Sequence, residues 1–207
     1  DATVNDWRLA LPMALRDRVA QPWIDSKNTT GRANAKQVYY LSMEFLIGRQ
    51  VEDTALNQQL EPEARHAKEE KGQSYDEIVH DEPDAALGNV GLGRLAACFM
   101  DSLATLGIPA YGYGIRYEHG LFEQDFANGQ QIERPEHWLA KGDVWEFKRP
   151  EISYQINFGG YVEHREARVF WHPGESVNAV AYDTPVVGWQ AAWANTLRLW
   201  SATPINA

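Results

Sequence analysis

The chain has 207 residues, with nineteen Lys and Arg against twenty-nine Asp and Glu, a formal net charge of −10 at neutral pH. That charge repels nucleic-acid phosphates and anionic lipid heads, so neither is expected as a partner, and no uncharged apolar run approaches the ~20 residues of a bilayer span. A chain of this length buries roughly 70% of its unfolded surface, enough for a substantial core.

Asp1 to Arg18 mixes charged and apolar residues and reads as having no signal peptide. The single cysteine, Cys98, excludes an internal disulfide and suits a reducing compartment, so a cytoplasmic location is expected. Its place in an apolar helical stretch predicts a buried, inert thiol. The six histidines, His66, His80, His119, His137, His164 and His172, show no paired metal-ligand spacing, and no metal site is predicted. The eight Trp and nine Tyr serve either a core or the stacking of sugar rings, and spacing does not separate the two uses.

In chain order, Trp7, Leu11, Leu15, Val19 and Trp23 recur at helical spacing from Asp6 to about Lys27, with Pro12 inside the pattern and a polar loop predicted over Asn28–Lys36. Val38 to Met43 is β-rich and predicts a short buried strand. Glu44 follows at once, just past the carboxyl end of that strand, where open α/β sheets bind ligands; the other reading is a carboxylate at a helix start. Phe45–Leu60 and Glu61–Gly72 read as helices, the second a charged, solvated one.

Leu87 to Phe99 runs a glycine-rich turn directly into an apolar helix. Unpaired N–H groups at a helix start carry partial positive charge, which suits a phosphate-like anion. The spacing Gly88-x-x-Gly91-x-Gly93 is neither the dinucleotide fingerprint nor a P-loop, so a plain tight turn is the competing reading. Arg94, in the first helical turn, opposes the dipole and needs an anion or a structural carboxylate to answer it. Leu92, Leu95, Ala96, Phe99, Leu103 and Leu106 form an apolar stripe, and Ala97, Met100 and Ala104 extend it, so a helix buried on most sides is predicted. Ala110 to Tyr117 reads as an extended segment whose glycines admit close neighbours, and strand, helix, strand in this order predicts an α/β sheet. After Pro150, alternation at Ile152, Tyr154, Ile156 and Phe158, a Gly159-Gly160 turn, and runs at Tyr161-Val162, Val169–Trp171 and Val177–Tyr182 predict a β-rich extension. We read residues 1–207 as one unit: a helix and loop at 1–36, an α/β part at 37–150 and the β-rich extension at 151–207.

Taken together, Val38-Tyr-Tyr-Leu-Ser-Met-Glu-Phe-Leu-Ile-Gly-Arg49, the glycine loop with its helix, and Ile108-Pro-Ala-Tyr-Gly-Tyr-Gly-Ile-Arg-Tyr117 resemble the glycogen and starch phosphorylases. The resemblance continues in order through Pro135–Leu139, Trp145-Glu146, Arg149-Pro150, Ala181–Val186 and Asn195–Ala202, over essentially the whole chain. It implies an N-terminal part of an α-1,4-glucan phosphorylase, which transfers terminal glucosyl units to inorganic phosphate and gives glucose 1-phosphate. The implied fold is part of a doubly wound, Rossmann-like α/β domain of the two-domain glycosyltransferase type. The residues implied to bind substrate or phosphate are Glu44, Asn89, Gly91 and Leu92, with Val90 and Gly91 near pyridoxal phosphate. No catalytic residue is assigned within the chain, and the lysine that anchors the cofactor belongs to the family's C-terminal half. These 207 residues alone are therefore expected to bind no cofactor and to be inactive. α-1,4-Glucan, phosphate and glucose 1-phosphate are the implied partners, in a homo-oligomer.

Departures from the family pattern stand at Val90, where the loop normally has glycine, at Gln130, at Asp143-Val144 and at Gln190. A Cβ at Val90 is expected to obstruct a phosphate or to strain a backbone needing positive φ. Trp23 matches an aromatic of the animal enzymes' nucleotide effector site, but Asp25 and Gly31 replace its partners, so no activation by AMP is expected. The competing readings are a non-catalytic carbohydrate-binding or interaction module derived from a phosphorylase, and a nucleotide-sugar glycosyltransferase.

Overall fold

The computed structural model describes residues 3–205. Helix α1 spans Val4–Ala33 and opens with a capping box, in which the Thr3 hydroxyl accepts from the Asp6 N–H and the Asp6 carboxylate accepts from the Thr3 N–H. Its stripe of Leu11, Leu15, Val19 and Trp23 is buried as predicted. The helix continues through Asn28, where a loop was expected, because its polar residues satisfy themselves within it. Ser26 and Thr30 are buried and donate to the Pro22 and Ser26 carbonyls at 2.7 and 2.8 Å. The helix ends only at Asn34, in the left-handed conformation.

Strand β1, Val38–Leu41, is followed by β2, Phe45–Leu46, helices α2, Val51–Asn57, α3, Glu61–Glu69, and α4, Tyr75–His80, and strand β3, Ala86–Leu87. Phe45 thus begins a strand paired with β3 and not a helix, and α4 was not anticipated. Next come α5, Leu92–Thr105, and β4, Ala110–Ile115. The hairpin of β5, Phe122–Ala127, and β6, Gln130–Pro135, turns at Asn128-Gly129, a signal for a tight hairpin turn that the sequence reading passed over. The β-rich extension comprises β7, Phe147–Phe158, a small hairpin of β8, Tyr161–Arg165, and β9, Arg168–His172, then β10, Glu175–Val187, and β11, Ala194–Pro204.

The central sheet has the order β1-β4-β11-β10-β7. The first three strands are mutually parallel and the last three antiparallel, giving a mixed α/β fold. Neighbouring residues on a strand face opposite sides. Thr196 accepts a hydrogen bond from Trp23 Nε1 of α1 at 2.9 Å, whereas Leu197 and Leu199 join Phe45, Ala96 and Met100 in the core beneath α5. Helices α1 and α5 therefore cover opposite faces. Trp23, the residue matching an effector-site aromatic, is core, packed on Phe147. Strand β1, expected to be buried, is the sheet edge, and Val38, Tyr39 and Leu41 are exposed. Among the described residues no helix is long and apolar enough to cross a membrane.

Helix α5 departs most from its apolar pattern. Its buried face is the small one, Gly93, Ala96, Ala97, Met100 and Ala104, while Leu92, Leu95, Phe99 and Leu106 are exposed. Cys98 also lies on the exposed side, contrary to the buried thiol predicted. The reason is distance at the two ends of the helix, where a Cβ on Gly93 would meet Gly88 Cα at 3.1 Å and one on Gly188 would meet the Ala104 backbone at 2.4 Å, while Gly112 of the sheet leaves room for Met100, the one large residue of this face.

Asp183 on β10 is fully buried and accepts from Arg198 Nε and Nη2 at 2.6 and 2.8 Å, with Arg149 Nη1 at 3.4 Å. The Asp183 carboxylate holds the Arg198 guanidinium further into its charged form. Beneath α1, a cavity of about 280 Å³ is lined by Trp138, Trp145, Glu82 and Asp143. Burial pushes the Asp143 carboxyl from 3.8 up to about 6; the Trp145 N–H opposes this, and Glu146 and Glu82 add to it.

Removing one partner of a buried ion pair strands the other, so Asp183→Ala should destabilise the fold by about 3–5 kcal/mol, read from urea unfolding. A loss below about 1 kcal/mol would contradict that role. At Asp143 the folded state holds its proton between about pH 4 and pH 6 while the unfolded state has released it. This residue's contribution to stability therefore falls as pH rises through that window. Asp143→Asn keeps an acceptor for the Trp145 N–H and should be more stable than the parent at pH 7 but not at pH 4, measured as paired unfolding curves.

Candidate functional site

The glycine loop lies between β3 and α5, at the carboxyl end of β1. Gly88 and Gly93 cross in near contact: a Cβ on Gly88 would meet Glu44 Cβ at 2.8 Å and Gly93 Cα at 3.2 Å. This absence of side chains seats the Glu44 segment directly against the loop. Glu44 is positioned from its own side by Ser42, whose hydroxyl accepts from the Glu44 N–H at 3.1 Å and donates to the Glu44 carbonyl at 2.7 Å.

The Glu44 carboxylate then clamps Asn89 twice. Oε2 accepts from the Asn89 N–H at 2.9 Å and Oε1 from Asn89 Nδ2 at 3.1 Å. Glu44 and Asn89, which the resemblance set side by side, are thus one unit, and the second reading of Glu44, a helix-start carboxylate, gives way because a strand follows it. The first bonds of the α5 ladder are Arg94 N to Asn89 O and Leu95 N to Gly91 O, so the amides of residues 90–93 precede the ladder, where a helix start is electropositive.

Val90 and Leu92 are 79% and 74% exposed, and a Cβ on Gly91 would meet open space. The positive-φ strain anticipated at Val90 does not occur: among the described residues, non-glycine positive φ is confined to Asn34, Gln59, Asn128, Glu166, Gln190 and Ala191. Gln190, another departure from the family pattern, does carry such a backbone, at φ 62°. Arg94 turns away from the loop and donates to the Leu46 and Ile47 carbonyls at 3.3 and 3.1 Å. Its guanidinium also faces Asp101, whose carboxyl burial pushes up to about 6, with Asp53 adding and Arg94 opposing. Arg94 is therefore the structural cation and not an anion ligand of the loop.

Beside Glu44 and Asn89 is a cavity of about 140 Å³ whose far wall is Tyr117, His119 and Gly120. The site reading of the sequence missed these residues. The rule that marked Glu44 would have found them, since they follow the carboxyl end of β4 as Glu44 follows that of β1. Among the described residues no group of His, Cys, Asp and Glu is arranged to hold a metal ion.

Gly88→Ala should cost about 1–3 kcal/mol, because backbone and Glu44 must move to admit the methyl group. Gly91→Ala, in open space at φ −67°, should stay within about 1 kcal/mol. Equal effects of the two, by chemical denaturation, would show that the Gly88 crossing does not set the loop.

The carbohydrate phosphorylase family model matches residues 68–207. The glycogen phosphorylase of Haemophilus influenzae is 47% identical over 202 residues, covering 98% of this chain and 25% of that protein. The glycogen phosphorylase of Pasteurella multocida is 44% identical with the same coverage. The brain form of glycogen phosphorylase from Rattus norvegicus is 45% identical over 205 residues, covering 99% of this chain and 24% of that protein. The chain spans about a quarter of the length of these relatives. By its sequence, and with the glycine loop joined to Glu44 in one structural unit, the chain belongs to the carbohydrate phosphorylase family.

Proposed function

We propose that this chain is an N-terminal part of an α-1,4-glucan phosphorylase, which moves terminal glucosyl units of glycogen or starch to inorganic phosphate and releases glucose 1-phosphate. The observation that carries this reading is the Glu44 clamp on Asn89, which fixes the amides of residues 90–93 at an electropositive helix start. In this reading the Gly91 and Leu92 N–H groups stabilise negative charge on phosphate or sugar oxygens, and Asn89 and Glu44 orient the sugar hydroxyls.

Pyridoxal phosphate fits this surface as a neighbour. The amides ahead of α5 face open space at Gly91, so an anionic group has access to them; Val90 points its side chain to solvent without backbone strain. When bound, the cofactor supplies a phosphate that acts as the acid/base partner of the substrate phosphate. This chain contributes the loop facing it, and the anchoring lysine belongs to another part of the longer polypeptide. We read residues 1–207 as a single unit, a reading supported by the pairing of β4 with β11 across its middle and last parts. We propose a cytoplasmic homo-oligomer that acts on glucan, and the net charge of −10 supports a protein that binds neither nucleic acid nor an anionic membrane.

The test is phosphorolysis of glycogen by the full polypeptide carrying this chain, followed as glucose 1-phosphate release. We expect activity there and none from the 207 residues alone. Glu44→Gln and Asn89→Ala should lower kcat/KM by about 10- to 100-fold, or about 1.4–2.7 kcal/mol. A full polypeptide without phosphorolytic activity would overturn the proposal.

A further inference from the structure

The Glu44 segment is joined to the start of α5 at two places. At the first, the Glu44 carboxylate accepts from the Asn89 N–H and Nδ2. At the second, Arg94 Nη1 donates to the Leu46 and Ile47 carbonyls at 3.3 and 3.1 Å. Leu46 and Ile47 follow Glu44 by two and three residues and Arg94 follows Asn89 by five, so both ties link the same two stretches of chain. Between them the backbones nearly touch, since a Cβ on Gly93 would meet Glu44 Cβ at 3.4 Å. Strand β2, which carries Leu46, is only two residues long, and a two-stranded ribbon of that size holds little by itself. The side-chain ties must therefore fix the segment.

Packing alone does not direct the Arg94 head group. Arg94 lines a cavity of about 220 Å³ between α2, α5 and the sheet, so its orientation rests on polar partners. Asp101, about two turns further along α5, supplies the remaining one, with Oδ2 3.8 Å from Nη2. The planar fork is thus engaged at both terminal nitrogens, a geometry that a lysine does not reproduce. Asp53 faces the pair from α2, and Arg49 lines the same cavity from the segment before α2, where its Nε donates to the Glu82 carbonyl at 2.9 Å. The sheet side, Pro185, Val186, Val187 and Leu197, carries no charge.

We propose that Arg94 and Asp101 are positioning residues for the reaction: Arg94 is a second tie that keeps the Glu44 segment aligned with the amides of residues 90–93, and Asp101 holds the other arm of its guanidinium. This rests on the reading of Glu44 and Asn89 as the unit that orients the sugar. Both residues act through Glu44. Burial, with Asp53 adding and Arg94 opposing, pushes the Asp101 carboxyl up to about 6, so mild acid neutralises the carboxylate and removes its hold on the guanidinium.

The test is a double-mutant cycle in phosphorolysis by the full polypeptide, together with hydrogen exchange at the Asn89 amide. Arg94→Met should lower kcat/KM by about 10-fold in the parent but by less than about 2-fold in a Glu44→Gln background, because the tie works through Glu44. Asp101→Asn should cost about 3-fold at about pH 7.5, as suits a half-exposed pair, and the deficit should narrow to about 1.5-fold at about pH 5.5, where the parent has lost the charge as well. Both variants should quicken Asn89 exchange, and Arg94→Lys, which keeps the charge without the fork, replaces Arg94→Met if that variant does not fold. If Glu44→Gln lowers kcat/KM while the Arg94 loss adds to it in full and Asn89 exchange is unchanged, the tie is overturned and the reading of the site stands. If Asn89 exchange quickens while Glu44→Gln leaves kcat/KM intact, the tie stands and the reading of Glu44 as a site residue falls. An Asp101→Asn deficit that is the same at both pH values overturns the part assigned to the Asp101 charge.

Discussion

Helix α5 is held at both ends by close backbone approaches, and the geometry of the glycine loop depends on them. Ala96, Ala97, Met100 and Ala104 face strands that carry Gly112 and Gly114, and Phe45 fills the space these glycines leave. At the amino end of the helix the same closeness brings Gly93 against Gly88 and the Glu44 segment. A larger residue at any of these crossings would lift the helix start away from Glu44. At the carboxyl end, a Cβ on Gly188 would meet Ala104 backbone at 2.4 Å, so the helix is confined along its length. Close packing here sets the geometry of the loop as well as stability.

Electrostatics on the opposite face serve the fold. The buried Asp183 collects Arg198 and Arg149, and burial lowers the pKa of Lys27 of α1, which Asp183 opposes. Such a cluster stabilises when complete and becomes costly when one member is lost. The sheet thus has a carboxylate-centred ion cluster toward α1 and a tightly packed apolar layer toward α5. The functional reading is confined to its edge, where the parallel strands end and backbone amides, a carboxylate and aromatic rings meet.

Arg94 shows how charge is divided between these roles. A cation in the first turn of a helix is unfavourable unless answered. Here it is answered by the Leu46 and Ile47 carbonyls and by Asp101, none of which belongs to the loop. The electropositive character of the loop therefore comes from the helix start and its amides.

The sequence by itself determined the long helix α1, the βαβ succession from β1 through α5 to β4 and the β-rich extension, and it marked Glu44 and the glycine loop as candidates. These are local signals: helical period, β-branched and aromatic runs, glycine spacing, and an ordered set of motifs. Tertiary structure decided what local signals cannot carry. It made β1 an edge, continued α1 through its polar end, turned Leu92, Leu95 and Cys98 of α5 outward, and joined Glu44 to Asn89 across 45 residues of chain. It also brought Tyr117 and His119 to the pocket beside Glu44, with His137 standing edge-on to His119. The physical reason is that periodicity records which residues are apolar, whereas the closeness of two backbones, set here by Gly88, Gly93 and Gly188, selects which face is buried.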